Sequence, residues 1–463
     1  MVNFTSDTHK NFEFCNTEER IVPNSGLFLA CQLIYASKIK ELLADLGDSK
    51  RSQKIFSNGD VAIAFIASIM NRDVNYCGVE SFRNGDSDFY KDAMNLNGIP
   101  SEETVRQRLN ELGKIDDIHK VICEANINLI KFSGLELKPL PNGMVSVDVD
   151  VTPFINEKTH KEGASRTYKK KDGFAPIMAY MGLNGFLINE EFRIGSQHCQ
   201  NNTVPFLKET IAQAKQLTKR DILFRLDSGN DSGSNIGLFI ENNVYFLYKR
   251  NLRHEKREDW LKLAKDCCIN VKNPREGKTV YIGSSWEPYK WVDENGNKVT
   301  QNIRVVYEIT ERTIDKNGQY LLIPDIEVNT YATNTGLSDE EVISYYHQHA
   351  EMEQYHSEIK TDMDCEKLPS GKFSTNALVL DLIMLAYNTL RVIEQASLLE
   401  KDYPDADKKD LNRRRLITTI IHLIYIPAHI TVHARKIRCG FGNTNPWSNT
   451  YLRLLNTLLK TAA

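Results

Sequence analysis

This chain has no cysteine framework, no membrane-length apolar run and no excess of positive charge. Its nine cysteines are an odd number in 463 residues. They are scattered except for Cys267-Cys268, with no CxxC pair, so neither a disulfide scaffold nor a structural zinc site is expected and the thiols should be reduced. The longest apolar run, NALVLDLIMLAYNTL (376–390), is broken by Asp381 and too short for a membrane span. The opening MVNFTSDTHKNFEF holds no signal-peptide apolar core, so the expected location is the cytoplasm. There is no internal repeat and no low-complexity tract. A net charge of −3 excludes a surface that is basic all over, although not a basic face on an otherwise acidic molecule.

What is present is ordinary soluble-protein composition, 41% hydrophobic and 26% charged, at a length that supports two to four domains. Basic residues gather at 158–171 (KTHKEGASRTYKKK), 248–257 (YKRNLRHEKR), 408–415 (KKDLNRRR) and 433–438 (HARKIR), which together suit a basic working face. Residues 1–140 carry helix-period apolar residues separated by short polar turns. Within them, GIPSEETVRQRLNEL starts a helix at Pro100-Ser101 that projects Arg106, Gln107 and Arg108. It resembles the second helix of a helix-turn-helix, so Arg106 and Arg108 are candidate DNA contacts.

At Met144 the period changes to two. MVSVDVDVTPF places Val145, Val147 and Val149 on one face of a strand and Ser146, Asp148 and Asp150 on the other, a face expected to meet a cation or solvent. Two further strands follow in GFAPIMAYMGL and GFLINEEFRIG, then the helix NNTVPFLKETIAQAKQLT. A buried-type strand, Ile222 to Leu226, delivers Asp227 at its C-terminal end before the turn-forming Ser228-Gly229-Asn230. Residues 244–330 alternate as antiparallel strands and read as an inserted β-rich subdomain. Helices resume at 331–400, and 401–463 reads as a basic helical tail.

The helix after LSDEE opens with a capping box, Ser338 and Glu341. At helical spacing Tyr346, His349, Glu353 and Lys360 share a face. Asp150, Asp227 and Glu353 thus come from three separate elements. Three such carboxylates can hold two Mg²⁺ ions, with Mn²⁺ a possible substitute, and two metals stabilise the attacking and leaving oxygens of a phosphoryl displacement. Tyr346 and Lys360, with His349 between them, would then be the DNA contacts of this helix, reaching phosphates.

The spacing Tyr346-x2-His349-x3-Glu353-x6-Lys360 resembles the Tyr-Arg-Glu-Lys signature of DDE transposases from cut-and-paste bacterial insertion sequences. DVDVT, FRIGSQH (192–198), LFRLDSGND (223–231) and NALVLDLIMLAYN (376–388) extend the resemblance in family order over about residues 140–440. It implies an α/β ribonuclease-H-like catalytic core at 141–243 and 331–400, the β-rich insertion at 244–330, and Asp150, Asp227 and Glu353 as catalytic metal ligands. It also implies a transposase that binds double-stranded DNA at terminal inverted repeats as a homodimer, cuts there, and joins its 3′-OH ends to target DNA. His349 stands where the family usually has Arg. The Asp-x-Thr pattern with Thr152 favours Asp150 over Asp148, which becomes a supporting or surface residue. The alternatives are a metal-dependent nuclease on the same core and a non-cutting DNA-binding descendant. A zinc site from His347, His349, His356 and Glu353 is disfavoured, because His347 and His356 are expected to project away from the other two. Trp286 and Trp291 are candidates to stack on an unpaired base, with core packing the stronger expectation.

Overall fold

The computed structural model describes residues 2–5, 11–44, 46, 55–267, 270–400, 402–404, 411, 413–434 and 436–459; Cys268, Lys408, Lys409 and Arg435, named above, lie outside them. The centre is a nine-stranded sheet. Its first core strand, Val145–Val151, pairs antiparallel with Ile177–Met181, which pairs antiparallel with Phe186–Glu191. On its other side the first strand pairs parallel with Ile222–Leu226, which pairs parallel with Tyr245–Lys249. The order third, second, first, fourth, fifth, with a helical crossover (Thr203–Leu217) before the fourth strand, is the expected ribonuclease-H-like core.

The insertion differs from the expectation in two ways. Tyr245–Lys249, taken above as its first strand, belongs to the core sheet. The remaining strands, Asn270–Arg275, Lys278–Val292, Lys298–Ile314 and Tyr320–Thr333, prolong that sheet instead of forming a separate body, because Tyr331 to Thr333 pair antiparallel with Leu247 to Lys249. A helix that alternation alone did not announce, Arg257–Cys267, packs Trp260, Leu261 and Ala264 against Val305, Tyr307 and Ile309. Elsewhere on the prolonged sheet, Val342, Ile343 and Tyr345 pack with Val280, Ile282 and Val306.

The helical N-terminal region shares one hydrophobic core with the catalytic sheet. Its helix Asn58–Met70, capped by Ser57 and Asp60, is buried along nearly its whole length and packs against the long helix Phe373–Ser397. That helix is the apolar run of the sequence; 94% of its most apolar 18 residues are buried inside the molecule. Asn388 on it caps the edge strand: its side-chain carbonyl accepts from Leu187 N–H (3.0 Å) and its amide donates to Leu187 C=O (2.6 Å). The tail is not wholly helical. After Leu416–Thr419 it forms a hairpin, Ala428–His433 with Lys436–Phe441, whose first strand pairs with Arg20–Val22, and only then the helix Ser448–Leu459.

Candidate active site

Asp150, Asp227 and Glu353 line one cavity of about 570 Å³. Asp150 lies at the end of the first core strand and Asp227 directly after the fourth. Because these strands are adjacent and parallel, their C-terminal ends emerge side by side. Glu353 comes from the helical segment after Asp339, which runs as α-helix to Gln348, tightens to i,i+3 bonding over His349–Glu351, resumes as α-helix over Met352–Ser357, and widens to a π-turn at Glu358–Asp362. The expected capping box of Ser338 and Glu341 starts it.

The electrostatics differ from carboxylate to carboxylate. Burial raises the Asp150 carboxyl, but the neighbouring His356, then His349 and the Val151 N–H (2.7 Å), more than offset this, leaving it below the usual range. Burial and the Asp150 charge push Asp227 up, against a hydrogen bond from Asn230 Nδ2 (2.8 Å). Tyr168 on the rim responds to all three: burial first, then the charges of Asp150, Asp227 and Glu353, take its phenol up to about 12. The pocket thus gathers three carboxylates whose donors are hard oxygens, which suits a Mg²⁺-type cation.

The other side chains on the helical segment fall differently from their expected roles. His349 lines the cavity but is buried, its Nδ1 2.8 Å from Asp148 Oδ1. Asp148 is not at the surface: it is 3% exposed and gripped by Arg225, Nε at 2.6 Å and Nη2 at 2.7 Å, while Arg225 Nη1 donates to Tyr345 C=O. Ser146 is buried too, so this face of the first strand, read above as meeting cation or solvent, is largely covered, and only Asp150 at its end opens into the cavity. Tyr346 packs tilted against Tyr331 at 4.8 Å between centroids, beside His349. Lys360 sits over the Phe154 ring, and burial pulls its ammonium down to about 8.

His356 corrects a second expectation. It does not project away: Nε2 lies 3.6 Å from Asp150 Oδ2 and Nδ1 3.3 Å from the Tyr180 hydroxyl. The signal was available, since His356 is three residues after Glu353 and four before Lys360. His347 faces another surface. The segment Gly195 to Cys199 lines the same cavity, as do Arg166, Thr167 and Tyr168, and Ser196 N–H donates to Ser165 Oγ (2.8 Å) between the two segments. Gly195 is required there, because a Cβ would come within 2.3 Å of the Ser165 and Gly173 carbonyl oxygens.

Of the four basic clusters, that at 158–171 borders the cavity and exposes Lys169, Lys170 and Lys171. At 248–257, Arg250 pairs with Glu255 and Arg253 donates to Asp231 C=O. At 408–415, Arg413 and Arg415 pair with Glu358 and Asp362. In the helix Glu102–Leu112, Arg106 is exposed and forked onto Glu103, but Arg108 is 8% exposed and donates to Asn58 Oδ1 and Phe56 C=O. Arg108 thus turns into the core instead of toward a groove, since its position shares the buried face with Val105, Leu109 and Leu112. Trp291 is buried and donates to Glu241, whereas Trp286 is exposed.

No curated protein matches this chain. Among solved structures, the cryo-EM structure of a piggyBac transposase synaptic complex with hairpin DNA is similar over 88% of this chain and 80% of that chain, at 12% identity and a TM-score of 0.41. The family model described as transposase DDE domain group 1 matches residues 99–463, and with more than half of its length matched the chain belongs to the DDE-domain transposases.

Proposed function

We propose that this DNA transposase cleaves at the terminal inverted repeats of its own element and transfers the 3′-OH ends to target DNA, with Asp150, Asp227 and Glu353 holding divalent cations. The observation that carries the reading is the convergence of these three carboxylates, from three elements, in one cavity bordered by exposed lysines. Mg²⁺ held there, or Mn²⁺ in its place, would supply charge stabilisation for the attacking and leaving oxygens of an in-line displacement. His356 keeps Asp150 ionised by its proximity. The Arg225–Asp148–His349 group fixes the strand and the helical segment that present Asp150 and Glu353. Lys360, with Lys169 to Lys171, positions the phosphate backbone, Tyr346 braces the segment against Tyr331, and Arg106 is a peripheral phosphate contact. Two copies would hold the two ends together.

The test is incubation of the full chain and Mg²⁺ with DNA carrying the element's two ends, followed by mapping of cut and joined products. Asp150→Asn, Asp227→Asn and Glu353→Gln should each abolish cleavage and leave end binding, because each removes a ligand's charge but little volume. Full activity in any of these variants would remove that residue from the site. Cutting without joining would favour a nuclease.

A further inference from the structure

A second group of metal-type donors lies outside the carboxylate cavity. His119 comes from the helix Ile118–Ser133, Glu190 from the edge strand Phe186–Glu191, and Asp381 from the middle of the long helix Phe373–Ser397. One donor atom from each lies within 4.8 Å of the other two. None of them lines the first cavity; they face a separate one of about 520 Å³, with Glu209 among its walls.

Ordinary packing leaves this group unsatisfied. Glu190 is 1% exposed and its Oε2 is buried without a hydrogen-bond partner. Asp381 is 2% exposed, with Oδ1 2.5 Å from His119 Nδ1. With the His119–Asp381 contact made, Glu190 Oε2 beside it still lacks a donor, and a buried polar atom without a partner is costly.

The ring of His119 is oriented as metal-binding imidazoles are. Its Nε2 lies 3.2 Å from Asn189 Oδ1, and the Asn189 amide nitrogen donates to Thr210 Oγ1 (2.9 Å), so the Asn189 oxygen is the end that accepts. With Nε2–H donated to that oxygen, Nδ1 faces Asp381 across a shared proton, the place a cation would take between them. A side-chain or backbone carbonyl that takes the distal N–H is the usual support of a histidine ligand. One imidazole nitrogen with two carboxylates suits a borderline first-row cation such as Zn²⁺ better than Mg²⁺, which prefers oxygen alone.

We propose that His119, Glu190 and Asp381 form a structural Zn²⁺-type site that ties the helical N-terminal region, the sheet edge and the central helix together, separate from the catalytic cations. It accounts for the acidic residue that interrupts the apolar run. A cation there cross-links elements more than 250 residues apart in sequence, as the His119 to Asp381 separation of 262 shows.

The test uses the full-length chain carrying Asp150→Asn and Asp227→Asn, so that the first cavity does not contribute. After exposure to Zn²⁺ alone and gel filtration, elemental mass spectrometry should count one retained Zn²⁺ per chain, and Co²⁺ in its place should give the visible absorption of a nitrogen- and oxygen-ligated ion. Adding Glu190→Gln should weaken retention by more than the roughly 10–100-fold that loss of an outer hydrogen bond costs. His119→Gln should do the same and serves if the first variant does not fold. Retention unchanged in the folded variants, or no Zn²⁺ retained by the parent, overturns the proposal.

Discussion

At the residue scale, the acidic cavity is held at a cost to stability. Asp227 is harder to ionise in the fold than in the unfolded chain, owing to burial and Asp150. Such a group costs stability once pH rises above its ordinary value, about 4, and the cost grows until pH passes the raised value. Asp227→Asn should therefore raise the melting temperature of the cation-free chain by a few degrees at pH 7 to 8, a gain that disappears as pH falls below about 4, where the carboxyl is neutral folded and unfolded. A variant that melts below its parent at pH 8 would contradict this. Lys360 gives the opposite sign. With its ammonium pulled down to about 8, a phosphate contact made as a cation should weaken above that pH by up to about tenfold per unit. Lys360→Arg should flatten the profile, since a guanidinium stays charged. Superimposable profiles in end-binding titrations would mean that the amine makes no ionic contact.

At the scale of elements, the segment that presents Glu353 is irregular and anchored from behind. Glu358 opens its π-turn, is fully buried, and accepts from Arg391 on the long helix and from Arg413 in the tail. Removing one partner of such a group strands the others in a medium that solvates them poorly. Glu358→Ala should cost about 3–5 kcal/mol in denaturant unfolding, and should lower cleavage because the turn it fixes directly follows the helix that carries Glu353. Stability within error of the parent would show that Glu394, which also pairs with Arg391, suffices. The clusters at 248–257 and 408–415 illustrate what a charge run leaves open. In the sequence they read as a basic face, yet Arg250 is committed to Glu255 of its own cluster, and Arg413 and Arg415 to Glu358 and Asp362, which only folding brings near.

At the scale of the molecule, residues 1–140 and the catalytic sheet share a core, and the insertion continues the core sheet strand by strand. A fragment of residues 1–140 would expose the faces that pack on Phe373–Ser397 and on the edge strand, so it should show no cooperative transition of its own, while the helical region of the full chain melts together with the sheet. A separate, cooperative melt of the fragment by circular dichroism would contradict a single shared core. Nor is the insertion separable: deleting 270–333 would leave Tyr245–Lys249 as a bare edge.

Periodicity and turn chemistry alone determined most of the elements. The alternation of Val145 to Val151, the strand Ile222–Leu226 and the capping box at Ser338 are local patterns, and each is present in the fold. The ribonuclease-H-like core also followed from the family resemblance. Tertiary structure alone decided which polar groups are covered. Asp148, Arg108, Glu358 and Glu190 all have residue types that sequence assigns to the surface, and all are buried because another element lies across them. A side chain's alternation or helical phase says which way it points but not what packs there, and burial and pairing belong to that second body.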